Sequence, residues 1–200
     1  YQTLNAKHSE IQILVRMLDE QKCAFDCICL QETWLPEHAD CSLLALDGYS
    51  IISQGFSSST HGGVAIYVRL KHHFSVLHTV RNDTWEALFI GISGKSRCPP
   101  LVIGNIYRPP NNNNENLSNY TDEITQCLSM FQHPHGKCII TGDFNIDLLK
   151  INEKPQFREY FNTITSLGYT PRLTFPTRLT DKNGTLIDNI LTNFLSSNSI

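Results

Sequence analysis

Lys137-Cys138-Ile139-Ile140-Thr141-Gly142-Asp143-Phe144-Asn145-Ile146-Asp147 is the stretch on which the fold turns. A short apolar run, Cys138 to Ile140, stops at Gly142 and gives way to Asp143 and Asn145. Its length and β-branching predict a covered strand rather than a helix. Asp143 and Asn145 then sit at the carboxyl end of that strand. In α/β architectures ligands gather there, because the scaffold holds the position rigid while the loops stay open to solvent. Gly, Asp and Asn are also common turn formers, so the stretch taken alone reads equally well as a turn.

Upstream of this strand, Leu117, Tyr120, Ile124, Cys127, Leu128 and Phe131 recur at helical spacing. Downstream, Pro155 opens a helix with Phe157, Tyr160, Phe161, Ile164 and Leu167 on one face, ended by Gly168. Nearer the start, Ser9 can cap a helix carrying Ile11, Leu14, Val15 and Leu18. The runs Phe25–Leu30, Tyr49–Ser53, Val64–Val68, Phe74–Val80, Trp85–Ile92 and Leu101–Tyr107 are β-branched, aromatic or apolar and predict strands. The last three form a meander, which implies mostly antiparallel pairing. Arg108-Pro109-Pro110 ends the final strand, since proline cannot donate to a ladder, and the four asparagines that follow read as a flexible loop. Asp181-Lys182-Asn183-Gly184 is a hairpin signal, returning through Thr185-Leu186-Ile187-Asp188. With no repeat and no linker, the elements predict one layered α/β body.

Two hundred residues, 40% hydrophobic and 18% charged, suit a single domain with its own core. The longest apolar stretch, Ala87 to Ile92, is far too short to span a bilayer, so no membrane partner is expected. The chain starts at Tyr1 with no basic-then-apolar signal pattern, and so reads as a piece of a longer polypeptide. A net charge of −3 gives no overall electrostatic footprint for nucleic acid. Carboxylates gathered around cations can produce that charge while Arg and Lys act locally. Seven cysteines, with Cys23, Cys27 and Cys29 lacking the paired spacing of a zinc knuckle, are expected to be free, buried and reduced. His133, His135 and Cys138 are separated by Pro134 and Gly136, which read as a turn rather than a metal site, and His61 reads as a solvated loop residue.

Three acids stand at apparent strand ends or on strands: Glu32, Asp143 and Asp188. If they converge on one rim, their like charges raise their pKa values unless a cation or donor intervenes. Hard oxygen ligands with no thiolate nearby favour Mg²⁺ or Mn²⁺ over zinc, and Mg²⁺ takes one or two carboxylates together with water and substrate phosphate. The chemistry then implies a phosphate ester as substrate. Each acid by itself is more simply a solvated or structural residue; only the constellation points to a site.

Five motifs stand in order and spacing: Gln31-Glu32-Thr33-Trp34-Leu35, His61-Gly62-Gly63-Val64-Ala65-Ile66-Tyr67, Asn105-Ile106-Tyr107-Arg108-Pro109-Pro110, Ile140-Thr141-Gly142-Asp143-Phe144-Asn145 and Thr185-Leu186-Ile187-Asp188. Together they resemble the endonuclease/exonuclease/phosphatase superfamily. Glu32-Thr33-Trp34-Leu35, the double proline and Phe175-Pro176-Thr177-Arg178 are similar to the apurinic-type endonuclease domain of LINE-like non-LTR retrotransposons.

The resemblance implies a four-layer α/β sandwich: two mixed, largely antiparallel sheets packed face to face with helices outside. It also implies a metal-dependent phosphodiesterase that nicks DNA and leaves a 3′-hydroxyl primer, with a reverse transcriptase as covalent neighbour and the nucleus as place of action. By resemblance Glu32 is the Mg²⁺ ligand, with Mn²⁺ as a substitute. Asp143 orients and activates the attacking water, Asn145 contacts the scissile phosphate, Tyr107 hydrogen-bonds the phosphoryl oxygens, and Asp188 is similar to the acid beside the catalytic histidine. Losing one such group costs about 10²–10³ in rate. Arg108, Thr174, Arg178 and Lys182 are expected to bind substrate, the last three on the segment Leu173 to Thr185, which by resemblance enters the DNA groove.

Two departures are visible. The family's opening strand ends in a catalytic Asn that aligns just before Tyr1, and no closing Ser-Asp-His triplet follows Asp188. A domain truncated at both ends, lacking the first and last strands, is therefore expected, with weak or no activity by itself and open edges prone to aggregation. Two rival readings share part of this evidence: a relative acting on phosphoinositide or sphingomyelin, and a non-catalytic DNA-binding remnant.

Overall fold

The computed structural model describes residues 4–36, 38–55, 62–94, 99–110, 114–132, 136–180 and 183–194. The elements run in the order α1 (Leu4–Glu20), β1 (Cys27–Gln31), β2 (Tyr49–Gln54), β3 (Val64–Arg69), β4 (Phe74–Arg81), β5 (Glu86–Ile92), β6 (Leu101–Tyr107), α2 (Asn114–Ser129), β7 (Cys138–Asp143), α3 (Pro155–Ser166), β8 (Thr170–Pro171), β9 (Arg178–Leu179), β10 (Gly184–Thr185) and β11 (Asp188–Thr192). Two short 3₁₀ turns, Cys41–Leu44 and Leu148–Lys150, punctuate them.

The strands form a three-stranded sheet, β1-β3-β2, and a six-stranded sheet, β4-β5-β6-β7-β11-β8. The meander β4-β5-β6 is antiparallel as its short links require, and β6–β7 is a parallel pair joined through α2. The wider sheet is thus mixed. The narrower one is antiparallel throughout, where two mixed sheets were expected, because each of its pairings includes β3, which runs against both neighbours.

Side-chain alternation builds four layers. Val64, Ile66 and Val68 face Leu88, Ile90, Ile92 and Ile103 to form the core between the sheets. Tyr67, Ile28, Leu30 and Ile51, on the opposite face of the three-stranded sheet, cover Val15 and Ile11 of α1. The other face of the six-stranded sheet, through Ala87, Phe89, Ile106, Cys138 and Ile140, receives Tyr120, Ile124 and Leu128 of α2 and Tyr160 and Ile164 of α3.

Several local expectations shift. Helix α1 starts ahead of Ser9, and Leu14 lies exposed while Leu4 and Val15 are buried. Asn114 already belongs to α2, so the asparagine run is not all loop; residues 111–113 lie outside the described residues, as do His61, His133 and His135. Among the described cysteines all are free; Cys127 and Cys138 are buried, but Cys23 is exposed because it follows the end of α1 at the surface. Burial pushes the Cys27 thiol up to about 11 and the Cys29 thiol up to about 12, so both stay protonated. Among the described residues no helix is long and apolar enough to cross a membrane.

Candidate active site

Register decides the site. Glu86 pairs with Tyr107, Tyr107 with Asp143, and Asp143 with Asp188, so four polar residues stand in one row across β5, β6, β7 and β11. Directly opposed residues point to the same face of a sheet. Here it is the face toward the three-stranded sheet, the face that also presents Leu88, Ile103 and Ile139. Parallel β6 and β7 end at this rim, while β5 and β11 begin there.

The fifth residue crosses from the other sheet. Glu32 follows β1 in a left-handed conformation, φ 52°, and Trp34 adopts another, φ 55°. Non-glycine residues hold that conformation only when surrounding bonds outweigh its strain. The phenolic hydroxyl of Tyr107 donates to Glu32 Oε1 at 2.7 Å, closing the gap between the sheets. Burial, reinforced by that hydrogen bond and by the carboxylate charges, holds the Tyr107 hydroxyl far above the ordinary phenol range. It therefore acts as a donor at any physiological pH.

Asp143 is pushed up to about 6, first by burial and then by the Asp188 charge. A hydrogen bond from the Asn145 backbone N–H at 3.0 Å opposes the shift, Glu32 adds to it and Arg178 opposes it. Beyond Asp143 the alternation continues with Phe144 and Ile146 buried in the helix-side core, which turns Asn145 back toward the rim. Asn145 is itself left-handed, φ 49°, and its Nδ2 donates to the Arg108 carbonyl at 2.7 Å. A carboxamide nitrogen carries two hydrogens, so one remains for a ligand. Asp147 serves the backbone instead. Its Oδ1 accepts from the N–H groups of Leu149 and Leu186, tying the segment before β11 to the site loop.

The structure thus brings Glu32, Tyr107, Asp143, Asn145 and Asp188 together. Arg108 is a correction: its side chain is not a substrate contact but lies in the interior, only 2% exposed. Its guanidinium stacks 5.2 Å from the Tyr120 ring centroid and lies 3.5 and 3.4 Å from the Phe144 and Asn145 carbonyl oxygens, so it braces the site loop from beneath. Burial lowers its pKa. Thr174 and Arg178 are exposed on the segment leading through β9. The predicted hairpin is present as β9 paired with β10, and Thr180 and Asn183 bridge its neck; Lys182 lies outside the described residues.

Glu86 belongs to none of the five motifs, although a lone acid within the otherwise apolar run Trp85 to Ile92 is a signal that could find it.

The donors at the rim are carboxylate, carboxamide and phenol oxygens. Among the described residues no group of three or more His, Cys, Asp or Glu side chains is gathered as a metal cage. An oxygen-only set with one carboxylate at Glu32 fits a hard divalent cation that keeps most of its water, as Mg²⁺ does, and does not fit zinc.

Comparison with known proteins agrees with this architecture. The profile described as Endonuclease/Exonuclease/phosphatase family matches residues 3–195. The endonuclease domain of TRAS1, a telomere-specific non-LTR retrotransposon, is similar with a TM-score of 0.64 at 14% identity, over 90% of this chain and 77% of that one. The human Nocturnin catalytic domain gives 0.64 at 16% identity over 96% and 78%. AP endonuclease LMAP from Leishmania major gives 0.62 at 15% over 94% and 75%. At these identities the likeness is one of fold. No curated protein matches the sequence.

Proposed function

The chain belongs to the endonuclease/exonuclease/phosphatase family, whose members hydrolyse phosphodiester bonds, and from that premise we propose that it is a Mg²⁺-dependent DNA endonuclease. It nicks target DNA to leave a 3′-hydroxyl primer for a reverse transcriptase carried in the same polypeptide, as in a non-LTR retrotransposon. Mn²⁺ replaces Mg²⁺, and the nucleus is where this activity is exercised. The observation that carries the reading is the row Tyr107–Asp143–Asp188 facing Glu32 across an open rim, with Asp143 poised near neutrality. The similarity to the TRAS1 domain and the exposed hairpin beside Asp143 favour DNA over a lipid headgroup.

Glu32 would hold a divalent cation, which when bound would supply charge neutralisation at the phosphoryl oxygens. The chain's own groups supply the remaining chemistry. Asp143, ionised above about pH 6, orients a water and takes its proton as the water oxygen bonds to phosphorus and the bond to the 3′ oxygen breaks, the departing oxygen taking a proton from solvent to become the 3′-hydroxyl. With Glu32 engaged by the cation, the Tyr107 hydroxyl would turn its one hydrogen from Glu32 Oε1 to a phosphoryl oxygen where negative charge develops, and the second Nδ2 hydrogen of Asn145 donates there as well. Asp188 keeps the Asp143 carboxylate basic by its charge.

The test is nicking of supercoiled plasmid with Mg²⁺, with chelator and with Asp143→Ala, using this chain and one extended at both ends. Chelator-sensitive nicking by either chain that Asp143→Ala abolishes supports the reading. No nicking by either folded chain overturns it in favour of the phospholipid or non-catalytic readings.

The hairpin supplies a separate prediction. Arg178 is exposed and lowers the Asp143 pKa. Arg178→Ala is expected to weaken DNA binding about equally for all sequences, to reduce the salt slope of log K by about 1, and to move the acid limb of the pH–rate profile upward. Sequence preference is expected to follow the whole segment 173–185 rather than Arg178, since phosphate contacts position without specifying. An unchanged nicking pattern after exchange of that segment with a relative's refutes the assignment.

A further inference from the structure

Gly62 and Gly63 stand within one of the five motifs, yet neither bears a side chain. Their partner is Glu86. Glu86 is 5% exposed, and its Oε2 accepts a short hydrogen bond from the Gly63 N–H. Gly62 lies against the same carboxylate at φ +119°, where an added Cβ would stand 2.7 Å from Oε2 and 3.2 Å from Cδ and Oε1. Only glycine allows so close an approach at that φ.

The carbonyls of this pair point the other way. Gly63 O accepts from Thr33 N–H at 3.1 Å, and Gly62 O accepts from Trp34 N–H at 2.9 Å. Thr33 is 1% exposed and sits between left-handed Glu32 and Trp34. A ring of contacts results. It runs from Glu86 through Gly63 and Gly62 to Thr33 and Trp34, on to Glu32, across the 2.7 Å hydrogen bond to Tyr107, and back through the paired β6 and β5 to Glu86.

We propose that Glu86 is a positioning residue of the site: its carboxylate clamps the Gly62-Gly63 strap, and the strap holds Glu32 in the left-handed conformation that aims its side chain at Tyr107. A buried carboxylate in this row needs a donor, and the strap supplies it. The strap in return supplies the two acceptors that fix the strained backbone after Glu32. The functional consequence rests on the reading of Glu32 as the cation's ligand. The clamp itself rests only on the hydrogen bonds.

Two readouts test it. Amide hydrogen exchange at Thr33 and Trp34 reports the clamp without any metal, and Mn²⁺ affinity by electron paramagnetic resonance reports its effect on Glu32. In Glu86→Ala, exchange at Thr33 and Trp34 is expected to accelerate at least about tenfold, with Ile103 and Ile140 as unchanged core references. Mn²⁺ affinity is expected to fall about 10–100-fold, the range for groups that orient a metal's ligands. Glu86→Gln keeps an acceptor oxygen and restores most of the protection. Gly62→Ala, which crowds the carboxylate without altering β5, loosens the same amides and decides the matter if Glu86→Ala does not fold. Unaltered exchange at Thr33 and Trp34 overturns the proposal, as does accelerated exchange with Mn²⁺ affinity intact. If Glu32→Gln binds Mn²⁺ as tightly as the unaltered chain, it is the reading of Glu32 that fails, and exchange alone then decides the clamp.

Discussion

Asp143→Asn is expected to slow nicking by about 10²–10⁴-fold while making the folded chain more stable at neutral pH. Both effects come from one environment. The carboxylate is half-buried and faces Asp188, so its pKa stands at about 6 against an ordinary 3.8. The folded state therefore holds that proton more tightly than the unfolded chain does. This contributes stability below about pH 4, and it is lost as pH rises through 6. At pH 7 the ionised carboxylate is a net cost to the fold. Asparagine keeps a carbonyl oxygen for the Asn145 N–H and removes the charge. One pKa unit corresponds to 1.36 kcal/mol; with a side chain partly open to solvent, the gain is about 1–2 kcal/mol at pH 7 and vanishes near pH 4. Urea unfolding at the two pH values measures it, and the acid limb of kcat/KM near pH 6 in the unaltered chain is its kinetic counterpart. A variant that loses activity without gaining stability at pH 7 would show that Asp188 and burial do not act on Asp143 as described.

The layers of this fold are legible in the sequence because each rests on local periodicity. The run Val64–Val68 is apolar throughout and is buried on both faces, the helical stripes through Tyr120 and Tyr160 bury one face each, and the observed cores use those faces. What the sequence withholds is the set of partners that only tertiary contact creates. Glu32 and Tyr107 are far apart in the chain, and no spacing rule announces the hydrogen bond that joins them. Arg108, following a strand that proline terminates, looks like a solvent-facing cation. Tyr120 and the 144–145 carbonyls instead offer it a ring face and acceptors inside the protein. Gly142 reads as the end of a strand, since glycine is most often a breaker. The strand continues through it to Asp143, and the reason is steric.

Gly142→Ala is accordingly expected to cost more than about 4 kcal/mol, the range reserved for substitutions that break a specific packing constraint. Gly142 pairs with Ile106 on one side and Asn189 on the other, in the middle of the six-stranded sheet. A Cβ there would fall on the Ile106 carbonyl oxygen, 2.9 Å from its carbon and 3.1 Å from the Ile106 Cβ. Two of those three atoms are backbone, and β6 cannot retreat because β5 is bonded along its far edge. The contrast is Gly48, φ +80°, where an added Cβ meets nothing within 4 Å. Gly48→Ala carries only the strain of a left-handed alanine, about 1 kcal/mol. Thermal or urea unfolding of the two variants should therefore separate them by several kcal/mol. Relief by sliding β7 against β6 is no escape, since Tyr107 and Asp143 are the next pair in the same register. If Gly142→Ala instead unfolds cooperatively within about 1 kcal/mol of Gly48→Ala, β6 and β7 are not spaced as described, and the row that sets Asp143 beside Tyr107 falls with them.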